Sequence, residues 1–517
     1  MINFKKLSFV LFLIFTLVIS FASGSMAKDK NIVSVWMWEI KNWDPNLCNS
    51  DGARILSNIY EQLLRYEDGK LTPVLATSWD KADGGKVWTF KLRKGVKFHN
   101  GEDFNAHTVK YSLERMVKLE SSSAWHFEAI TEIKVIDDHT IQFICAYPHP
   151  LDLLMATYYG AYMVPPKLSE EKGTEWFQKG NACGTGPYKL KSYEKGVGAV
   201  LEKFDGYWGG WKPNQFDIAF YKVINESSTA VQLLKRGEMD IIEAVPAEVA
   251  EKLVEDPGIE IYIAESTANV WYHLHNQKFP TDDINVRKAI CHAIDVDEII
   301  ATVIGKKYAT RATGPIPYTM WGHDPNLKTY DYSIEKAKAY LEKSKYADQW
   351  KKGEMKMTIT AYDEPTLSLS TYIQASLKKI GIQADIDTTP WPASWEKYLD
   401  KENAPQMLVL DWWAEWPSPR GWLAGAWFKE EEPLFNWAWY YNPEYEKLVN
   451  EGMGYEATDQ AKAAALYSKA QQILLDDAAS FFLVDYKSVV LKRTDLKGLN
   501  MQPLYNGSYF IYNLTRE

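Results

Sequence analysis

From Leu71 to Met116 the chain reads LTPVLATSWDKADGGKVWTFKLRKGVKFHNGEDFNAHTVKYSLERM, and its periodicity admits little local freedom. Trp88, Phe90 and Leu92 alternate with Thr89, Lys91 and Arg93, the period-2 pattern of a half-buried strand. Asp83-Gly84-Gly85 before it and Asn100-Gly101 after it are turn signals. A helix is expected from about Asn105, with Val109, Leu113 and Met116 on one face. The tract predicts turn, strand, turn and helix, with no chemistry of its own.

The rest of the chain also alternates strand-like and helix-like segments, without repeats or low-complexity tracts, which predicts a mixed α/β architecture. The clearest unit is MKMTITAY, TLSLSTYIQASLKKI, Gly381 and IQADID, a parallel βαβ crossover. Gly184-Thr185-Gly186-Pro187-Tyr188 opens a strand. Its G-x-G is a weak phosphate signal, because Pro187 removes an N–H where a phosphate would need one.

At the N-terminus Lys5 and Lys6 precede the apolar run Leu7 to Phe21, and Ser25-Met26-Ala27 supplies small residues for cleavage, so residues 1–27 are expected to be a secretory signal. An uncleaved anchor is the alternative, but the run is short against the roughly 20 residues of a span. The first cysteine is Cys48, so no lipid anchor is expected at a mature N-terminus near Lys28. Without Lys5 and Lys6 the net charge of −10 becomes −12 (−10 − 2), which disfavours nucleic acid and anionic lipid as partners. Nearly 490 residues would remain, too many for one small core, so two or three lobes are expected. The compartment would permit disulfides, but the spacing of Cys48, Cys145, Cys183 and Cys291 fixes no pairing, and Cys291 in VRKAICHAIDVDEII reads as a buried thiol.

The wording of several segments carries more than their periodicity. The "P-x-LA-x-SW" run with FKLRKGVKFHNG and YSLER, then GTGPYKLKSY…FDGYWGG, QLLKRGEMDII, HNQKFPTDDINVRKAICHAID and IQASLKKIGIQADI occur in the order found in the family 5 extracellular solute-binding proteins. The chain resembles the peptide and nickel type of that family, which feeds ABC importers. The resemblance implies an α/β, two-lobed periplasmic solute-binding fold, with hinge strands and an additional domain on the N-terminal lobe. It implies residues 28–68 as a first segment of lobe I, 69–183 as the additional domain, 184–278 as lobe I to the hinge, 279–480 as lobe II and 481–517 as the return to lobe I. It further implies a periplasmic, monomeric protein that binds a small ligand, needs no cofactor, catalyses nothing, and docks on an inner-membrane permease.

The densest aromatic stretch runs from Pro390 to Tyr441. Core packing accounts for many such tryptophans. LVLDWWAEWPSP is different: Leu408 to Leu410 reads as a buried strand that Pro417 and Pro419 end. Trp412, Trp413 and Trp416 would then lie at a strand's carboxyl end, where open α/β sheets place ligands. Asp411 and Glu415 are carboxylates among rings, and a carboxylate in an apolar slot needs a cation. A peptide's α-ammonium would supply one.

This segment resembles the family's "GW-x-ADY-x-DP" motif, which implies Glu415 at the position of the ammonium-binding Asp, Trp412 as the motif Trp, and Trp395 as a second cleft residue. Glu in place of Asp moves the carboxylate outward, and Pro417-Ser418 replaces a more acidic turn. Asn269, Val270, Trp271 and Tyr272 are implied to be the facing-lobe strand that hydrogen-bonds an extended peptide main chain to main chain. Three alternatives stay open. The tryptophans suit an oligosaccharide. His273 and His275 share a strand face but lack a third metal ligand, so a solvated or packed pair is expected. Asp411 with Glu415 could serve a glycoside hydrolase if suitably spaced.

Overall fold

The structure, a computed structural model, describes residues 31–517 apart from 49, 122, 244, 246, 392, 432 and 433, so the expected signal segment lies outside the described residues. Three sheets organise the chain. The first has seven strands in the order Ile259–Ala264, Ser488–Arg493, Ile241–Ile242, Ile32–Met37, Ile218–Val223, Gly198–Lys203 and Tyr188–Glu194. The second has six, in the order Ala309–Arg311, Ser480–Tyr486, Asn269–Leu274, Met407–Trp412, Lys356–Thr360 and Gln383–Asp387. The third has four, Ala76–Ala82, Val87–Leu92, Thr140–Cys145 and Ile130–Asp137, and builds the additional domain.

The additional domain follows the periodicity closely. In Val87–Leu92, Trp88, Phe90 and Leu92 are buried. The following helix is Ala106–Lys118, with Val109, Leu113 and Met116 buried. It starts there because Asn105 Oδ1 accepts from the backbone N–H groups of His107 (2.9 Å) and Thr108 (3.2 Å), while Thr108 Oγ1 accepts from Asn105 N (3.3 Å). This reciprocal cap satisfies N–H groups that the helix cannot bond internally. The βαβ unit is also present: Lys356–Thr360 pairs in parallel with Gln383–Asp387 around the helix Glu364–Lys379.

The glycines of GTGPY serve close packing. A Cβ on Gly184 would lie 1.9 Å from the Ile59 carbonyl oxygen, and one on Gly186 would lie 2.7 Å from that of Asn58. Only glycine admits that approach. His99 of KFHNG closes over the same turn: its Nδ1 accepts from Gly184 N (3.3 Å) and its Nε2 donates to Gly186 O (2.9 Å). Burial pulls its pKa down to about 4, so the ring stays neutral. The YWGG element has a similar task. Tyr207 OH, Trp208 Nε1 and Thr185 Oγ1, each within 2.9 Å, donate to the buried Glu61 carboxyl group.

The sheets correct two expected boundaries. Asn269–Leu274 and Ser480–Tyr486 both belong to the second sheet. The chain therefore passes from the first lobe to the second between Ala264 and Asn269, and returns between Tyr486 and Ser488, rather than at 278/279 and 480/481. Strand periodicity marks an element but not the sheet it joins.

Strand directions place the cleft. Ile32–Met37 is parallel to Ile218–Val223 and to Ile241–Ile242. Ile259–Ala264 runs the same way, because each is antiparallel to the shared neighbour Ser488–Arg493. All four carboxyl ends share one edge, from which the chain leaves at Ala264. In the second sheet it enters at Asn269, opposite Trp412 at the carboxyl end of Met407–Trp412. The carboxyl edges of the two sheets thus border the crossings, the usual position of a ligand crevice in α/β folds.

Candidate functional site

The second sheet's contribution begins with Met407–Trp412, whose first four residues are buried. Met407 and Val409 pack with Val270 and Tyr272 on one face, while Leu408 and Leu410 pack with Trp271 on the other. Alternation then sends Asp411 and Trp412 to opposite faces at the cleft end. Trp412 packs edge-on against Phe435 (4.7 Å between ring centroids), and Phe435 meets Trp395 at 5.0 Å. Trp391 lies 5.3 Å from Trp395 and 5.7 Å from Tyr362. Trp412, Phe435, Trp395 and Trp391 thus form one continuous aromatic cluster. Trp391 keeps 44% of its surface exposed, and on the first lobe Trp38, just beyond Ile32–Met37, keeps 41%.

Tyr362 OH donates to Asp411 Oδ2. Burial pushes the Asp411 carboxyl up to about 7, and nearby Asp363 adds to the rise. Among the described residues its titratable neighbours are Tyr272, Tyr362, Asp363 and Tyr486, none of them a cation.

Glu415 lies in the loop after Trp412 and is held by the additional domain. Tyr159 OH donates to Oε1 (2.7 Å), and His126 Nε2 lies 3.1 Å from Oε2. The Glu415 carbonyl accepts from Thr157 Oγ1 (2.8 Å) and Tyr158 N (2.5 Å). Burial lowers the His126 pKa, and its Nδ1 has no partner, which assigns the neutral tautomer donating from Nε2. Next in the chain, Trp416 is fully buried in the additional domain's core with Leu63 and Phe127. Pro417 O accepts from Trp321 Nε1 (2.7 Å), and the Arg420 guanidinium packs on Trp125 (5.1 Å). Trp416 is therefore a core residue and not part of the cleft wall. Trp413 is half-buried.

The strand Asn269–Leu274 requires a correction. It does not face Met407–Trp412 across the cleft; it pairs with it, Asn269 opposite Trp412 and Val270 opposite Asp411. Its other edge pairs with Ser480–Tyr486. With both edges occupied, it has no row of main-chain groups to offer a peptide, so the expected β-augmentation on Asn269, Val270, Trp271 and Tyr272 is not available. Their side chains are internal as well. Asn269 donates to Pro315 O (2.7 Å) and accepts from Trp422 Nε1 (3.1 Å), and Tyr272 OH bonds Ser370 Oγ (2.9 Å). Trp271 Nε1 donates to His273 Nε2 (3.0 Å), and His273 Nδ1 bonds Ser480 Oγ (2.9 Å). His275 Nε2 bonds Lys401 O (3.0 Å), while its Nδ1 accepts from Gln277 N (3.2 Å). Of the two expected states, solvated or packed, the histidines take the packed one.

Sequence reasoning missed Tyr362, His126 and Tyr159. Tyr362 was within reach, because it follows the first strand of the βαβ unit at a carboxyl end. His126 and Tyr159 carry no local signal: they meet Glu415 across 289 and 256 residues of chain.

Two sheets with facing carboxyl edges, joined by two crossings and carrying an inserted domain, define a two-lobed solute-binding protein. The chain belongs to the bacterial extracellular solute-binding proteins, family 5, whose middle region matches residues 70–433. The dipeptide-binding protein of Escherichia coli (strain K12) is 29% identical over 512 residues, covering 92% of this chain and 93% of the relative. The probable D,D-dipeptide-binding periplasmic protein DdpA of the same strain is 28% identical over 475 residues, covering 88% of each. The ABC transporter-associated periplasmic binding protein DppA from Helicobacter pylori, solved in complex with peptide STSA, superposes with a TM-score of 0.79 at 28% identity, covering 94% of this chain and 98% of that one.

Proposed function

We propose that this protein collects short peptides in the periplasm and delivers them to an ABC permease, after export directed by residues 1–27. Ligand enters between the carboxyl edges of the two sheets, and lobe closure about the crossings buries it. The observation that carries this reading is the cleft edge at Asp411–Glu415: an aromatic wall of Trp391, Trp395 and Trp412 beside acidic groups, one of which faces no cation among the described residues. Rings supply broad apolar contact, and a carboxylate selects a ligand carrying a positive charge. The relatives named for dipeptides, and the one solved with a peptide, support the same class.

The test is calorimetric titration with a panel of di- to tetrapeptides and oligosaccharides, together with mass spectrometry of ligand retained by the native protein. Peptide binding with a micromolar or tighter Kd is expected. Binding of sugars alone would replace the peptide reading.

A further inference from the structure

Asp411 and Glu415 are only four residues apart in the chain, and the structure gives them different surroundings. Glu415 is held by residues far from it in the chain. Tyr159 OH and His126 Nε2 reach one carboxylate oxygen each, and Thr157 and Tyr158 hold its carbonyl. All four donors belong to the additional domain, and Arg420 adds positive charge beside His126. Asp411 has one neutral donor, Tyr362, and a like charge, Asp363, beside it. Exposed Trp391 packs edge-on at 5.7 Å against Tyr362, the ring that donates to Asp411.

We propose that Asp411 with Tyr362 is the site that selects the ligand's ammonium, and that Glu415 is a positioning residue, a latch fastening the second lobe to the additional domain through Tyr159 and His126. This rests on the peptide-binding reading above and divides its acidic groups by task. A carboxylate already facing two donors gains less from a ligand cation than one facing only a phenol and another carboxylate. Removing the latch carboxylate favours the open form, which weakens every ligand that requires closure by the same factor. Removing the selecting carboxylate weakens only ligands that carry the cation.

The experiment measures Kd for Ala-Ala and Ser-Thr-Ser-Ala, each with a free and an Nα-acetylated amino terminus, on the full-length mature protein and its Glu415→Gln, Tyr159→Phe and Asp411→Asn variants. Melting curves confirm that each variant is folded. Glu415→Gln and Tyr159→Phe are expected to weaken free and acetylated peptides alike, Glu415→Gln by about tenfold, the size of a lost charge-assisted hydrogen bond. They keep the preference for the free amine, and the double variant is less than additive. Asp411→Asn is expected to abolish that preference. Loss of the preference in Glu415→Gln, with its retention in Asp411→Asn, overturns the assignment. If the unaltered protein binds none of the four peptides, the peptide reading itself fails, and this inference with it.

Discussion

The Lys487 ammonium lies 3.2 Å from Glu265 Oε1, joining the two segments by which the chain passes between the sheets. Both side chains keep partial exposure, 27% and 47%, where an ion pair contributes little. Lys487→Met is expected to change unfolding free energy by less than about 1 kcal/mol in urea titration. A loss above about 2 kcal/mol would show that the pair is a structural tie and not a compliant element between the lobes.

Ligand affinity should depend on pH through Asp411, whose carboxyl is raised to about 7. The ionised form binds an ammonium, so affinity rises with pH and levels off above about 7. Below that point it falls by up to roughly tenfold per unit, and above about pH 8 it falls again as the peptide amine loses its charge. Buried Glu456, raised to about 6 beside Tyr467 and Ser418, also titrates in this window. The two are separated by Asp411→Asn, in which calorimetry from pH 5 to pH 7.5 should give a nearly flat profile. A steep profile persisting in that variant would assign the dependence elsewhere.

Trp416 fills the additional domain's core from the second lobe, and its indole Nε1 has no hydrogen-bond partner. Trp416→Ala should destabilise the protein by about 3–5 kcal/mol, as large cavities do. Trp416→Phe keeps most of the volume and leaves no orphaned N–H, so it should cost clearly less. Denaturant midpoints of the two variants decide the point. Equal losses would mean that filling this core is not what Trp416 does.

The four cysteines are free and buried. Burial pushes Cys48 and Cys291 up to about 12, and Cys145 and Cys183 up to about 11. Since the thiolate is the reactive form, a chromogenic disulfide reagent should report no fast thiol in the native protein and four after unfolding in guanidinium. Fewer than four would reveal a disulfide.

Local elements were legible because periodicity and capping act over a few residues. The alternation in Val87–Leu92, the Asn105 cap and the crossover around Glu364–Lys379 needed no knowledge of the remaining chain. The order of the motifs was enough to imply the family and the two-lobed architecture. It did not reveal what the motifs do: the glycines of GTGPY exist for the Ile59 backbone, 125 residues earlier, and His99 for their amides.

The sequence by itself determined the elements, the family, and the aromatic and acidic character of the cleft edge. Only the tertiary structure decided that Asn269–Leu274 has both edges paired, and that Glu415 meets the additional domain while Asp411 meets a tyrosine. The reason is physical. A hydrophobic period states that a face is buried, not what buries it. A carboxylate's role depends on donors and charges within a few ångströms, which here come from 49 residues away for Asp411 and from 256 and 289 residues away for Glu415.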